Sequence, residues 1–160
     1  MYKNSLTEAQ LEARGKNAVA ALLARRLIVP KIFFDAHWPT RTSRIGVLAV
    51  DRAGAGDIHV VEVKVGVRGA AEAVVQLMHL PAHYKYVAVV DPGNYRLQER
   101  ALYSEDGLGR IGVILFQEKE HDELQARIEI APERFRVGPS IIKQIDRFTA
   151  KEHADIEIRV

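Results

Sequence analysis

The stretch that decides the fold runs from residue 45 to residue 65, as IGVLAV (45–50), DRAGAGD (51–57) and IHVVEVKV (58–65). The first and third segments are rich in β-branched residues, which favour strands. The middle segment is rich in glycine and aspartate, which favour turns. The stretch therefore predicts two antiparallel strands joined as a hairpin.

The register of this hairpin follows from its turn. If Asp51 pairs with Asp57, Glu62 lies opposite Gly46, and cross-strand partners have Cβ positions only about 5 Å apart. Because side chains alternate along a strand, Glu62 and Lys64 share one face and the neighbouring valines share the other. A glutamate and a lysine in an apolar strand are costly to bury unless they are paired or bound to something.

The rest of the chain predicts an α/β layer pattern with a mixed sheet. Ser5-Leu6-Thr7-Glu8 is typical of a capping box with Ser5 as N-cap, and a helix should follow to about Arg26. The other predicted elements are, in order, a strand at 32–34, the hairpin, a helix at 69–79, a strand at 86–90, a helix at 94–103, a strand at 111–116, an edge strand at 127–130 and a helix at 140–148.

Length and composition predict one domain over residues 1–160. The chain has no cysteine, which excludes disulfides and thiolate zinc sites and fits a reducing cytosol. No apolar run approaches the roughly 20 residues that a membrane span needs, and residues 1–7 lack the apolar segment of a signal peptide. We therefore expect a cytoplasmic protein without a membrane partner.

The hairpin with Glu62-Val63-Lys64, set between a preceding helix and strand and a following helix and strand, resembles the core of the PD-(D/E)XK nucleases. The resemblance covers residues 5–116 and leaves 117–160 as a C-terminal extension. It implies a restriction endonuclease-like fold, a hydrolase activity on DNA phosphodiesters, and Mg²⁺ or Mn²⁺ as cofactor. It also implies that Glu62 and the Val63 carbonyl bind the metal and that Lys64 assists the attacking water.

The chemistry explains these residue types. A hard cation stabilises the negative charge that develops during phosphodiester hydrolysis and lowers the pKa of its bound water, and Mg²⁺ prefers oxygen ligands. In the family an aspartate on the strand before E-x-K supplies another ligand, but this chain has Gly46 there. Asp51, Asp35 and Glu12 are the candidate replacements, with Glu12 at a helix position that resembles a ligand of many relatives.

Several residues are candidates for contact with nucleic acid. Residues 1–70 contain 11 Lys/Arg and 6 Asp/Glu, whereas residues 71–160 contain 12 and 15, so one electropositive face is expected. Basic side chains near the ends of the hairpin could hold phosphates, and a glutamine on the following helix matches a position that contacts DNA in several relatives. The candidates are Arg41, Arg44, Arg68 and Gln76.

The sequence thus supports two hypotheses. In the first, the chain is a metal-dependent nuclease in which Glu62 and Lys64 act with Glu12 or Asp35. In the second, it keeps the nuclease fold and binds DNA or a protein partner without cleaving, because Gly46 provides no ligand. A homodimer is compatible with either hypothesis.

Overall fold

The computed structural model describes residues 6–38, 44–53, 56–90, 111–120 and 123–158. Over these ranges the chain forms three helices and a seven-stranded mixed sheet, which confirms the α/β class. The predicted helix at 94–103 lies outside the described residues. The elements are α1 (Glu8–Arg26), β1 (Pro30–His37), β2 (Arg44–Asp51), β3 (Ile58–Val65), α2 (Val67–Met78), β4 (Tyr84–Val90), β5 (Gly112–Glu118), β6 (Leu124–Ile130), α3 (Pro139–Lys151) and β7 (Ile156–Glu157).

The strand order is β6-β5-β4-β3-β2-β1-β7. Strands β1, β2 and β3 form an antiparallel meander, and β4 lies parallel to β3. A parallel pair needs a crossover connection, and α2 provides it. Strand β6 lies at one edge of the sheet, as predicted for residues 127–130. Strand β7, which the sequence did not predict, pairs with β1 at the other edge.

The predicted hairpin register is confirmed. Val47 pairs with Val61 and Val50 with Ile58, which is the register that places Gly46 in line with Glu62. The backbone N–H of Asp51 donates to the carbonyl of Asp57 at 3.0 Å, so the turn closes where expected. The β2–β3 hydrogen-bonded ladder stops at Val47 and Val61, whereas the β3–β4 ladder continues to Val65.

The start of α1 differs from the prediction. The N-cap is Thr7, not Ser5: its Oγ1 accepts the Gln10 N–H at 3.1 Å, and its own N–H donates to Gln10 Oε1 at 2.8 Å. Thr7-Glu8-Ala9-Gln10 carries the same pattern of a hydroxyl followed three residues later by Glu or Gln. The predicted end of the helix at Arg26 is confirmed.

Two hydrophobic cores lie on opposite faces of the sheet. The α1-side core packs α1 against one face, and the α2-side core packs α2 and part of α3 against the other. On β3, Val61 and Val63 belong to the α1-side core, and Ile58 and Val60 belong to the α2-side core. The faces of the sheet are therefore fixed by burial, and they determine which candidate residues can meet.

Candidate functional site

Three charged side chains meet where α1 crosses the end of β1. The Nζ atom of Lys16 lies 2.7 Å from Oδ1 of Asp35 and 3.5 Å from Oε1 of Glu12. Glu12 and Lys16 are one helical turn apart, so both reach toward β1. Together with Phe34 they line a pocket of about 360 Å³. The structure thus brings together two of the predicted metal ligands, Glu12 and Asp35, and joins them through an ammonium group.

The Lys16 ammonium is more strongly held than a surface amine. Its side chain is only 17% exposed, and this burial lowers its pKa. The hydrogen bond and charge of Asp35, with a smaller contribution from Glu12, outweigh the burial, so the pKa of Lys16 lies above its ordinary value. Lys16 is therefore a fixed positive charge at neutral pH.

Gly46 lies directly beneath this lysine. A Cβ atom built on Gly46 would lie 3.7 Å from Cε of Lys16, 3.2 Å from the Val61 carbonyl oxygen and 3.6 Å from the Val63 nitrogen. The contact with Val61 is tighter than ordinary packing, and its partner is backbone that cannot rotate away. The position that carries aspartate in the resembled family thus has little room for any side chain, and the space above it contains Lys16.

Asp35 faces Gly46 across β1 and β2, between the pairs Phe34–Val47 and Ala36–Ile45. Its φ of 50° is the only positive value at a described non-glycine residue, and a left-handed backbone there is strained.

The strand faces change at Asp35 and Gly46. Phe34 packs on the α1-side core and Ala36 on the α2-side core, although residues two apart normally share a face. In the same way, Ile45 packs in the α2-side core and Val47 in the α1-side core, although only Gly46 lies between them. The two strands therefore change face together, which turns the Asp35 carboxylate toward Lys16.

Glu62 and Lys64 lie on the other side of the sheet. They alternate with Val61 and Val63 and so share the face of the α2-side core. The stem of Lys64 packs beside Gly69 on α2, where an added Cβ would lie 3.5 Å from Lys64 Cβ. Both side chains are half-buried. The predicted alternation is confirmed, but it separates Glu62 from the Lys16 ion pairs by the thickness of the sheet.

These residues fit a divalent metal poorly. Within the described residues no group of three or more His, Cys, Asp or Glu side chains is placed to hold a metal ion. Glu12 and Asp35 share the Lys16 ammonium, and Glu62 lies on the opposite face. A metal site built from Glu62, the Val63 carbonyl, Glu12 and Asp35 stays a prediction that this geometry does not favour.

Asp51, another candidate ligand, has a structural role. Its carboxylate accepts backbone N–H groups of Ile28, Val29 and Ala53 at 3.0 to 3.2 Å. Burial raises the pKa of Asp51, but these three hydrogen bonds outweigh it and hold the pKa below its ordinary value. Asp51 thus joins the α1–β1 connection to the start of the hairpin turn.

The candidate nucleic-acid contacts are placed only in part. Arg44 is exposed at the start of β2, and Gln76 is exposed on α2, which covers the opposite face from α1. Arg68 lies in the first turn of α2, but its side chain lies outside the description, as does Arg41 altogether. Arg44 and Gln76 are thus the two whose side chains the structure places, and a shared surface for all four residues stays a prediction.

Sequence reasoning missed the most organised part of this region. Lys16 was not among the predicted site residues, and the signal that could have identified it is its spacing of four residues from Glu12. The buried His59 was also missed. Its Nδ1 lies 3.1 Å from the Tyr86 hydroxyl, and its ring stacks on Tyr84 with centroids 4.7 Å apart.

Comparison with known proteins gives the fold alone. No protein-family model matches the chain, and no curated protein matches it. The chain is similar to a solved structure, the SPO1766 protein of unknown function from Silicibacter pomeroyi, with 21% sequence identity and a TM-score of 0.62. The match covers 91% of this chain and 86% of that chain. In the part of the chain that the structure describes, no helix is both long and apolar enough to cross a membrane.

Proposed function

We propose that this chain is a restriction endonuclease-like module that binds DNA without cleaving it. The fold supports the first part of the proposal. The order α1-β1-β2-β3-α2-β4, with an antiparallel meander followed by a parallel strand, is the arrangement that the resemblance to PD-(D/E)XK nucleases implies. This part of the proposal is an analogy of fold, and the activity must be argued from the site.

The observation that carries the proposal is the Lys16 ammonium above Gly46. It lies between Glu12 and Asp35 at 3.5 and 2.7 Å, the two carboxylates that are the sequence-based candidates to complete a metal site with Glu62. A divalent ion brought there would have to displace the ammonium and would then face Lys16 as a neighbouring like charge. Such a contact costs several kcal/mol when water is partly excluded.

An ammonium group cannot replace the chemistry of the metal. It donates three hydrogen bonds, but it does not coordinate water and lower its pKa as a divalent ion does. It does neutralise part of the charge on Glu12 and Asp35, so that a phosphate backbone passing the pocket meets less repulsion. The arrangement therefore repels a polyanion less than two bare carboxylates would, and it lacks the metal chemistry that hydrolysis needs.

The proposal is tested by measuring cleavage and binding on the same preparation. We expect no cleavage of plasmid or oligonucleotide DNA in Mg²⁺ or Mn²⁺ at excess protein. We expect fluorescence anisotropy to show binding to a labelled duplex, with an affinity that falls as salt rises because counterions are released. Metal-dependent cleavage would overturn the first statement, and lack of binding at about 50 mM salt would overturn the second.

A matched pair of variants tests the role of Lys16 in binding. Lys16→Met leaves the Glu12 and Asp35 carboxylates without their cation, so DNA affinity should fall by more than the loss of one charge explains. Arg25→Gln removes one exposed charge at the other end of α1 and serves as the control. Equal losses in the two variants would show that the ion pairs have no specific role.

The second candidate is the metal-dependent nuclease of the sequence analysis. One observation favours it: Glu62 and Lys64 share a face and are both half-buried beside the start of α2. If cleavage is found, Glu62→Ala and Lys64→Ala should abolish it, whereas Glu72→Ala, at an exposed position of α2, should not. Cleavage that survives Glu62→Ala would contradict this candidate.

A further inference from the structure

A second pocket, of about 240 Å³, lies between the ends of β1 and β2 and the C-terminal end of α3. Besides Asp35, its polar side chains are His37 and Arg44 from the two strands, and Glu152, His153 and Asp155 from the segment after α3. Arg44 is one of the predicted nucleic-acid contacts, and the other four residues belong neither to the predicted site nor to the Lys16 ion pairs.

This pocket adjoins the one that contains Lys16. Phe34 and Asp35 line both of them, because the change of face at Asp35 places that residue between the two surfaces. A ligand that reaches across the end of β1 would therefore contact both pockets.

The basic side chains of the second pocket are available for a ligand. His37 and Arg44 are direct cross-strand partners, so their Cβ atoms lie only about 5 Å apart. His153 lines the same pocket from the segment after α3. Among the described residues, none of these three side chains forms a hydrogen bond or an ion pair, and all three are exposed. An arginine beside two imidazoles offers several donors in one place.

Two of the three carboxylates in this pocket already have partners. Asp35 is bound by Lys16 at 2.7 Å, and Oδ2 of Asp155 accepts the Phe34 N–H at 2.7 Å. Glu152 is exposed at the C-cap of α3. The three carboxylates keep free acceptor positions, so an anion in this pocket would be held by directed N–H groups of Arg44, His37 and His153 and not by a net positive charge.

An aromatic side chain completes the pocket. Phe148 is half-buried on α3 and packs on Phe33, with ring centroids 5.2 Å apart and a tilt of 56°. Its remaining exposed area lies in the same pocket as Arg44. Donors for an anion beside an aromatic ring are the combination that proteins use for a nucleotide, since the base stacks and the phosphate is hydrogen-bonded.

We propose that this pocket binds one nucleotide unit, with its phosphate held by Arg44, His37 and His153 and its base against Phe148. That the nucleotide belongs to a DNA strand rests on the proposed function. The pocket itself can be tested without that assumption, because a free mononucleotide carries the same phosphate and base.

The test titrates the intact protein with thymidine 5′-monophosphate, thymidine and inorganic phosphate, followed by ¹H–¹⁵N NMR. We expect saturable shifts at the amides of His37, Arg44 and His153 with the monophosphate, and weaker effects with thymidine or phosphate alone. Arg44→Gln should weaken monophosphate binding about tenfold, the usual loss for a charge-assisted hydrogen bond. Arg25→Gln, in the last turn of α1, should leave it unchanged.

Titration with oligonucleotides tests whether the bound nucleotide is a free mononucleotide or part of a DNA strand. A thymidine oligomer should shift the same amides, and Arg44→Gln should weaken its binding as well. If the mononucleotide binds at these residues and no oligomer does, the pocket is a nucleotide site and the proposed DNA binding is wrong. If oligomers bind but the mononucleotide leaves these amides unmoved and Arg44→Gln has no effect, the pocket assignment is overturned and DNA binding stands.

Discussion

The buried imidazole of His59 makes the stability of this protein depend on pH in a defined window. His59 is 6% exposed on the α1-side face of β3. Burial lowers its pKa from the ordinary 6.5 to about 4, partly opposed by the nearby charges of Asp57 and Asp51. The folded protein therefore keeps His59 neutral at pH values where the unfolded chain protonates it.

The sign and size of the effect follow from proton linkage. Between pH 6.5 and 4 the unfolded state binds more protons at this position, so the free energy of unfolding falls as the pH falls. The stabilisation is fully present above pH 6.5, and below pH 4 no more is lost. The difference between 6.5 and about 4, at 1.36 kcal/mol per pH unit, corresponds to about 3 kcal/mol.

The assay is urea unfolding of the wild type and of His59→Gln between about pH 7.5 and 4.5. The wild type should lose about 2.5 kcal/mol more than the variant over this range, because other titrating groups contribute equally to both proteins. In parallel, NMR of the imidazole should show a neutral ring at pH 5. Equal pH dependence of the two proteins, or an imidazole that titrates near pH 6.5, would refute the reasoning.

Three further substitutions test the packing around the site by urea unfolding. Gly15→Ala should lower the free energy of unfolding by about 1 kcal/mol, because the new Cβ would lie 2.8 and 2.9 Å from two valine methyl groups. This loss is expected even though alanine favours helices more than glycine does. A gain in stability would contradict the close approach of α1 to the sheet. Gly46→Ala should cost about 1 kcal/mol because its Cβ meets the Val61 carbonyl oxygen at 3.2 Å; an unchanged midpoint would show that β2 relaxes freely. Thr7→Ala should cost about 1 kcal/mol by removing the N-cap of α1, whereas Ser5→Ala, its matched control, should have no effect.

The hairpin was predictable because its determinants are local. Turn residues between two β-branched segments fixed the register, and the alternation of Glu62 and Lys64 with valines followed from strand geometry. The start of α1 was not predictable to the residue, because Ser5 and Thr7 begin equivalent capping patterns in overlapping segments.

The site was less predictable because it depends on contacts between distant residues. The change of face at Asp35 and Gly46 leaves no mark in the hydrophobic pattern of either strand taken alone, and it appears only when β1 and β2 are paired. The contact between Lys16 and Asp35 joins residues 19 positions apart. The prediction that Glu62 binds one metal together with Glu12 or Asp35 assumed that Glu62 and Gly46, which are in register, also face the same side of the sheet. Here they do not.

The central claim is that the Lys16 ammonium, and not a divalent metal, lies between Glu12 and Asp35. Anomalous diffraction from a crystal soaked with Mn²⁺ tests this claim most directly. The account predicts no manganese peak within coordination distance of Glu12, Asp35 or Glu62, and a Lys16–Asp35 contact that stays near 2.7 Å. A manganese ion coordinated by Glu62 together with Glu12 or Asp35, with the Lys16 side chain displaced, would contradict it.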